Sequence, residues 1–187
     1  MKTLPAGSRV HLVGIGGMHM SAIAQILLAD GIRVSGSDLA PSALTDRLQT
    51  LGATFFEGHA ATNVGAADLL VATAAARSDN PELVEARRRG IPVLIRHEMV
   101  ARLMEGRTAV AVAGTHGKTT TTSLLALMLQ EAGRRPAYLL GGESLDLGGN
   151  AAPGGGEHVV VEADEYAGAF LAYHPNVAIV TNVIAEV

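Results

Sequence analysis

The sequence predicts an α/β protein, and three features predict it. Short apolar runs alternate with stretches of helical periodicity. Two glycine-rich turns, "GIGGMH" at 14–19 and "GTHGKTT" at 114–120, each follow an apolar run and open a helical one. The core residues are aliphatic: hydrophobic residues make up 48% of the chain and aromatics only 3%, which suits buried parallel strands covered by helices. Together these imply a Rossmann-like, doubly wound parallel sheet followed by a partial P-loop α/β unit.

Each element has its own signal. "RVHLVGI" (9–15) is an apolar run closed by glycine, hence a strand; Met18 to Asp30 carries Met20, Ile23, Ile26 and Leu27 at helical spacing, and Gly31 stops it. Arg33 to Ser37 is a second strand ending at Asp38. Ser42 caps a helix through Leu44, Leu48 and Leu51, with Gly52 past its end. "ADLLVAT" (67–73) reads as a buried strand. Asn80, Pro81 and Gly90 are the cap, first position and stop of a third helix, and "IPVLI" follows as a strand. The arginines at 87–89 sit at that helix's C-terminal end, where cations are favoured.

A second unit starts near Arg107, so the chain is expected to divide at about 105, into 1–105 and 106–187. "TAVAVAG" is a strand, followed by the glycine loop and a helix from about Thr119 to Ala132. That helix is apolar nearly all round, which predicts burial on several sides. Residues 141–157, rich in glycine, read as a long loop; "HVVV" (158–161) and "NVAIVTN" (176–182) read as strands. The unit has fewer strands than a P-loop domain usually needs, so the chain is expected to be a piece of something longer.

Composition narrows the partners. A net charge of −4 with no basic cluster argues against nucleic acid or an anionic membrane. No run approaches the roughly 18 apolar residues that span a bilayer, and no secretory signal is visible, so a soluble chain is expected. The absence of cysteine removes disulfides and thiolate zinc sites and fits a cytoplasmic protein. The seven histidines are scattered without metal spacing.

The first loop matches G-x-G-x-x-G except that His19 takes the last glycine. Gly14, Gly16 and Gly17 permit a tight turn and close approach of a pyrophosphate to a helix N-terminus. Asp38 lies 22 residues past Gly16 at the end of the second strand, where an acid meets a ribose hydroxyl. The competing reading is a turn that uses glycine for packing alone.

The second loop follows the phosphate-loop pattern G-x-x-x-x-G-K-[ST] except that Val112 stands where the first glycine belongs. Gly114 and Gly117 can free backbone N–H groups for phosphate oxygens, Lys118 supplies charge to the β/γ-phosphates, and the Thr119 hydroxyl can ligate Mg²⁺. A P-loop also needs a carboxylate beside a neighbouring strand. Glu162 directly follows "HVVV", with Asp164 and Glu165 after it; an acidic cluster merely solvated at a strand end is the alternative.

Two phosphate loops suggest two phosphorylated ligands. The pairing, with "GTHGKTTTT" (114–122) and "EADEY" (162–166), closely resembles the Mur ligases of peptidoglycan synthesis, whose shorter GT-x-GKT loop lacks the early glycine. "HLVGIGGMHMSAIAQIL" (11–27), "VSGSD" (34–38), "DNPELVEARRRGIPV" (79–93), "RHEMVARLM" (96–104) and "NVAIVTN" (176–182) extend the resemblance over nearly the whole chain and favour the alanine-adding branch. The branch that recycles murein tripeptide is the alternative within the family.

The resemblance implies a ligase with ATP and Mg²⁺ as cofactors, and with UDP-N-acetylmuramate and L-alanine as substrates. Gly114, Thr115, His116, Gly117, Lys118, Thr119 and Thr120 would cradle ATP. Lys118 and Glu162 would be the catalytic pair, with Thr119 and Glu162 on Mg²⁺. Gly14, Gly16, Gly17, Asp38 and Asn150 would face the UDP substrate. The chain departs from the family at His19 (for glycine), Ala167 (for Asp), Ile184 (for an acid) and Val187 (for a histidine that helps hold a second Mg²⁺). The family's C-terminal domain is absent from the sequence, so the expectation is a chain that does not ligate alone. Outside the family, an NAD-dependent oxidoreductase would explain the first loop and Asp38 but leaves "GTHGKTT" without a use. A non-catalytic nucleotide-binding module predicts binding without turnover.

Overall fold

The computed structural model describes residues 4–164 and 166–184. The chain divides into two compact units, Lys2–Met99 and Val100–Val187.

The first unit is a five-stranded, wholly parallel sheet in the order β3-β2-β1-β4-β5. Its strands are β1 (Arg9–Val13), β2 (Arg33–Asp38), β3 (Thr54–Glu57), β4 (Leu69–Ala72) and β5 (Val93–Ile95), with helices α1 (Met18–Ala29), α2 (Ala43–Thr50) and α3 (Pro81–Arg88) between them. β1 pairs with β2 on one side and β4 on the other, so strand order reverses there. Such a switch point opens a crevice at the strands' carboxyl ends. The sheet forms because β1 and β4 are aliphatic on both faces: Val10, Leu12, Val13 and Leu69 through Ala72 are all buried. α1 buries every residue from Met20 to Leu27.

The helix caps follow the sequence. The Ser42 side chain accepts the Thr45 N–H while the Thr45 hydroxyl accepts the Ser42 N–H, a reciprocal box worth about 1 kcal/mol. Asn80 accepts from Glu82 and Leu83, with Pro81 at the first helical position. Two elements carry no clear sequence signal: β3, too short to show alternation, and the 3-10 turn Ala61–Val64.

The second unit has the strand order β10-β6-β9-β7-β8. Here β6 is Thr108–Ala113, β7 Ala137–Ser144, β8 Gly149–Ala152, β9 His158–Glu162 and β10 Val177–Val180; α4 (Arg96–Met104) precedes β6 and α5 (Lys118–Glu131) follows it. All strand pairs are parallel except β7 with β8. Two expectations are corrected. Residues 141–157 are not one long loop: β7 runs on to Ser144 and returns as β8, with the Tyr138 hydroxyl donating to the Leu147 carbonyl to close the turn. And α5 is not buried on several sides. Only Thr122 and Ala126 are fully buried, while Leu124 and Met128 are exposed, because the sheet of this unit covers one face of the helix.

No helix among the described residues is long and apolar enough to cross a membrane.

Candidate functional site

Each unit carries a cleft at the carboxyl end of its central strand. In the first, β1 leads into Gly14, whose N–H donates to the Ser37 carbonyl (2.8 Å), as does that of Ile15 (3.0 Å). The Gly16 N–H donates to Asp38 Oδ2 (2.8 Å) and the Gly17 N–H to the Gly14 carbonyl (3.1 Å). Gly16 has to be glycine: a Cβ there would stand 2.9 Å from Asp38 Oδ2. This oxygen of Asp38, the acid expected at a ribose hydroxyl, braces the loop. Its other oxygen takes the Leu39 N–H (2.8 Å). The four loop N–H groups all have protein acceptors, so the loop gives a ligand close approach and the donors or acceptors that recognise it come from elsewhere in the cleft. His19 is the second residue of α1, beyond the turn.

That cleft holds about 570 Å³ and is lined by Gly14, Gly17, Asp38, His59, Thr73 and Arg77 among others. Behind it lies a group the sequence reading missed. Glu82, at the second position of α3, is fully buried. Its Oε2 accepts from the Ser37 hydroxyl (2.6 Å) and lies 3.2 Å from His59 Nδ1; its Oε1 accepts from Asn63 Nδ2 (2.7 Å). His11 Nε2 stands 3.6 Å from Oε1, at ion-pair rather than hydrogen-bond distance. Burial pushes the Glu82 carboxyl up, but His11, Ser37 and Asn63 outweigh it and bring it down to about 2. Glu82 was legible only as helix-forming; nothing local marks a residue whose partners lie 19 to 71 positions away.

In the second unit Val112 explains itself. It is a fully buried strand residue paired with Glu162 on β9 and Ile179 on β10, so β6 continues past the place of the missing glycine and the loop begins at Gly114. Gly114 has φ +135°, and a Cβ would run into the Thr181 hydroxyl and the Asn182 main chain. The segment after β10 braces the loop: the Thr115 N–H donates to the Asn182 carbonyl (3.1 Å), the His116 N–H to Asn182 Oδ1 (3.0 Å), and the Thr181 hydroxyl to the His116 carbonyl (2.7 Å). Thr115 and His116 thus have their N–H groups directed to Asn182. Gly117, in the left-handed region, caps α5, so Lys118, Thr119 and Thr120 form its first turn.

The structure brings the expected catalytic and metal residues together. Lys118 Nζ donates to the Gly114 carbonyl (2.6 Å), beside the loop. The Thr119 hydroxyl donates to Glu162 Oε2 (3.1 Å), and Glu162 Oε1 takes the Gly141 N–H (2.6 Å). Glu162 is almost completely buried. Burial raises its carboxyl above the usual range, against the Gly141 and Thr119 hydrogen bonds and the Lys118 charge, with Asp164 adding to the rise. A hydroxyl and a carboxylate oxygen this close fit a hard, oxygen-seeking cation such as Mg²⁺, which takes few protein ligands. No cluster of three His, Cys, Asp or Glu exists among the described residues. At the start of the loop a cleft of about 370 Å³ is lined by Gly114, Thr115, Ala163, Phe170, Asn182 and Ile184 among others, and not by Thr119 or Glu162.

Asn150, expected to face the UDP substrate, is not in a loop. It lies in β8 of the second unit and is fully buried; its glycine-rich surroundings suggested a loop where there is a strand. Glu165 and Val187 lie outside the described residues, and of Ala167 only the backbone, in the 3-10 turn Tyr166–Ala172, is described.

The geometry has counterparts in known proteins. Residues 9–108 match the Mur ligase family, catalytic domain, and residues 112–186 the Mur ligase middle domain. A UDP-N-acetylmuramate–L-alanine ligase of Myxococcus xanthus is 55% identical over 96% of this chain, and one of Pelotomaculum thermopropionicum 53% over 93%. The chain spans 38% of the length of both relatives. Among solved structures, the UDP-N-acetylmuramate–alanine ligase of Thermotoga maritima superposes with a TM-score of 0.86 at 37% identity, covering 95% of this chain and 42% of that one. The UDP-N-acetylmuramate:L-alanyl-γ-D-glutamyl-meso-diaminopimelate ligase of Neisseria meningitidis gives 0.87 at 31%, covering 97% and 62%.

Proposed function

Because this chain belongs to the Mur ligase family, we propose that it carries the nucleotide-handling part of an ATP-dependent ligase joining L-alanine to the lactyl carboxylate of UDP-N-acetylmuramate. The observation that carries this reading is the Lys118–Thr119–Glu162 arrangement at the mouth of a glycine loop, in a chain whose other unit has a separate cleft at a Rossmann-like switch point. Among the solved structures, identity is higher to the alanine ligase, 37% against 31% for the tripeptide ligase, which supports L-alanine as the amine.

In this reading the first cleft holds the UDP moiety and the second holds ATP. The lactyl carboxylate oxygen attacks the γ-phosphorus and ADP leaves; the alanine amine then attacks the acyl carbon and inorganic phosphate leaves. The chain's residues contribute position and charge. Lys118, tethered to the loop by the Gly114 carbonyl, is placed to meet the β/γ-phosphates in exchange for that carbonyl. The first turn of α5 directs its N-terminal end at the phosphates. Thr119 and Glu162 would hold Mg²⁺, which when bound neutralises charge on the phosphate oxygens.

Thermal shift tests the reading. UDP-N-acetylmuramate and Mg²⁺·ATP should each raise the melting temperature, and NADH should not. Lys118→Ala should remove the ATP shift and leave the UDP-sugar shift intact; loss of both together, or a shift with NADH alone, would overturn it.

A further inference from the structure

The histidine at the first cleft has one edge committed and one edge open. His59 follows β3 and lines the cleft together with Gly14, Gly17 and Asp38. Every hydrogen bond described for its ring uses Nδ1, which lies 2.9 Å from the Ser37 hydroxyl and 3.2 Å from Glu82 Oε2. Ser37 has a single proton, and the 2.6 Å contact to Glu82 takes it. Both neighbours of Nδ1 are therefore acceptors, and Nδ1 carries the hydrogen. In the neutral ring this leaves Nε2 bare, an acceptor. The side chain is 22% exposed while Glu82 behind it is fully buried, so the ring's outer edge is the one that meets the cleft.

The backing is rigid. Asn63 holds Glu82 from the other side and also donates to the Gly58 carbonyl (3.1 Å), and the Gly58 N–H donates to the Asp38 carbonyl (2.7 Å). The segment that carries His59 is thus clamped at both ends. The glycine loop of the same cleft directs its N–H groups to protein acceptors, so groups elsewhere in the cleft, His59 among them, are left to recognise the ligand.

We propose that His59 contacts the ligand of the first cleft, its Nε2 accepting a hydrogen bond from a donor on the nucleoside half of a uridine nucleotide, with Glu82 and Ser37 as the positioning residues that set its tautomer and orientation. This rests on the reading of the first cleft as the UDP site. Charged and titratable groups around the ring are Glu82 and His11 behind it and Asp38, Arg77 and Asp79 in the cleft. The test is therefore run at a single pH, so that no titration enters the comparison.

His59→Asn separates the two edges, since the Asn amide nitrogen falls where Nδ1 was and nothing reaches the place of Nε2. Calorimetry on the full 187-residue chain should show UDP-N-acetylmuramate binding weakened about tenfold in His59→Asn, with Mg²⁺·ATP binding unchanged. UDP that is 2′-deoxy or N3-methylated tells a ribose hydroxyl from the base N–H; one of the two should bind the wild type less tightly than UDP, and that difference should vanish in His59→Asn. In the unmutated chain, the ¹⁵N resonance of His59 Nε2 should move on adding the UDP-sugar and stay still on adding ATP, a readout that requires no variant to fold. Undiminished UDP-sugar binding in His59→Asn, or an unmoved resonance at saturation, overturns the proposal while leaving the first cleft as the UDP site. Failure of the wild type to bind the UDP-sugar while still binding ATP overturns both.

Discussion

Two buried glutamates, one in each unit, sit in opposite electrostatic states. Glu82 is fully buried yet brought down to about 2, because His11, the Ser37 hydroxyl and the Asn63 amide outweigh its desolvation. Glu162 is nearly as buried and is raised, because one backbone N–H, one threonine hydroxyl and the Lys118 charge do not offset its desolvation. The donors around the first carboxylate outweigh its desolvation; those around the second do not. Burial alone does not tell them apart. The donor count does: it fits a holding role for the first and the metal-binding role proposed for the second.

The largest expected effect is on Glu82. Its pKa is lowered on folding, so its stabilisation is fully present above the unfolded value near 4.5 and is lost as pH falls through about 2. Glu82→Gln should lower stability at pH 7 on the order of 3 kcal/mol, and the gap between wild type and variant should close by roughly half near pH 3. Urea unfolding of both chains across that range measures it. A gap that is constant with pH would mean that Glu82 acts by shape alone.

Glu162→Gln should act oppositely. A raised carboxyl means that the ionised form is disfavoured by folding, so stability at pH 7 should hold or rise. What should be lost is the proposed hold on Mg²⁺. Without its carboxylate, the strengthening of ATP binding by Mg²⁺ should fall by about tenfold or more, read from ATP titrations with and without the cation. A destabilised variant that kept its Mg²⁺ response would make the two glutamates alike.

The same contrast shows what a sequence discloses. Both glycine loops, the helices after them and the acid beyond "HVVV" were legible because phosphate loops are local patterns with fixed spacing. The Thr119–Glu162 contact followed from the rule that the metal-side carboxylate ends a neighbouring strand, and β9 does lie beside β6. Glu82 followed from nothing local: it looks like an ordinary first-turn acid, and its partners come from β1, β2 and the segment after β3. β8 was misread because glycine and proline in 141–157 signal turns, whereas strand pairing with β7 is settled by tertiary contact. α5 was misread because apolar composition says what a helix can bury, not how many surfaces are offered to it.

Asp38 sharpens the comparison from the other side. It is an acid on a cleft wall, yet its two oxygens each take a backbone N–H, from Gly16 and Leu39. An amide keeps one of those acceptors and loses the other, so Asp38→Asn should lower stability by about 1 kcal/mol, with little dependence on Mg²⁺ or ATP. Its effect on UDP-sugar binding should come through the glycine loop: Gly16 is packed against this side chain, and a shifted turn would move Gly14 and Gly17 with it. Binding should then weaken equally for UDP and for its 2′-deoxy form. An effect on UDP alone would mean that Asp38 also touches the ribose hydroxyl, and would move it from the braced class of Glu82 toward the ligand-facing class of Glu162.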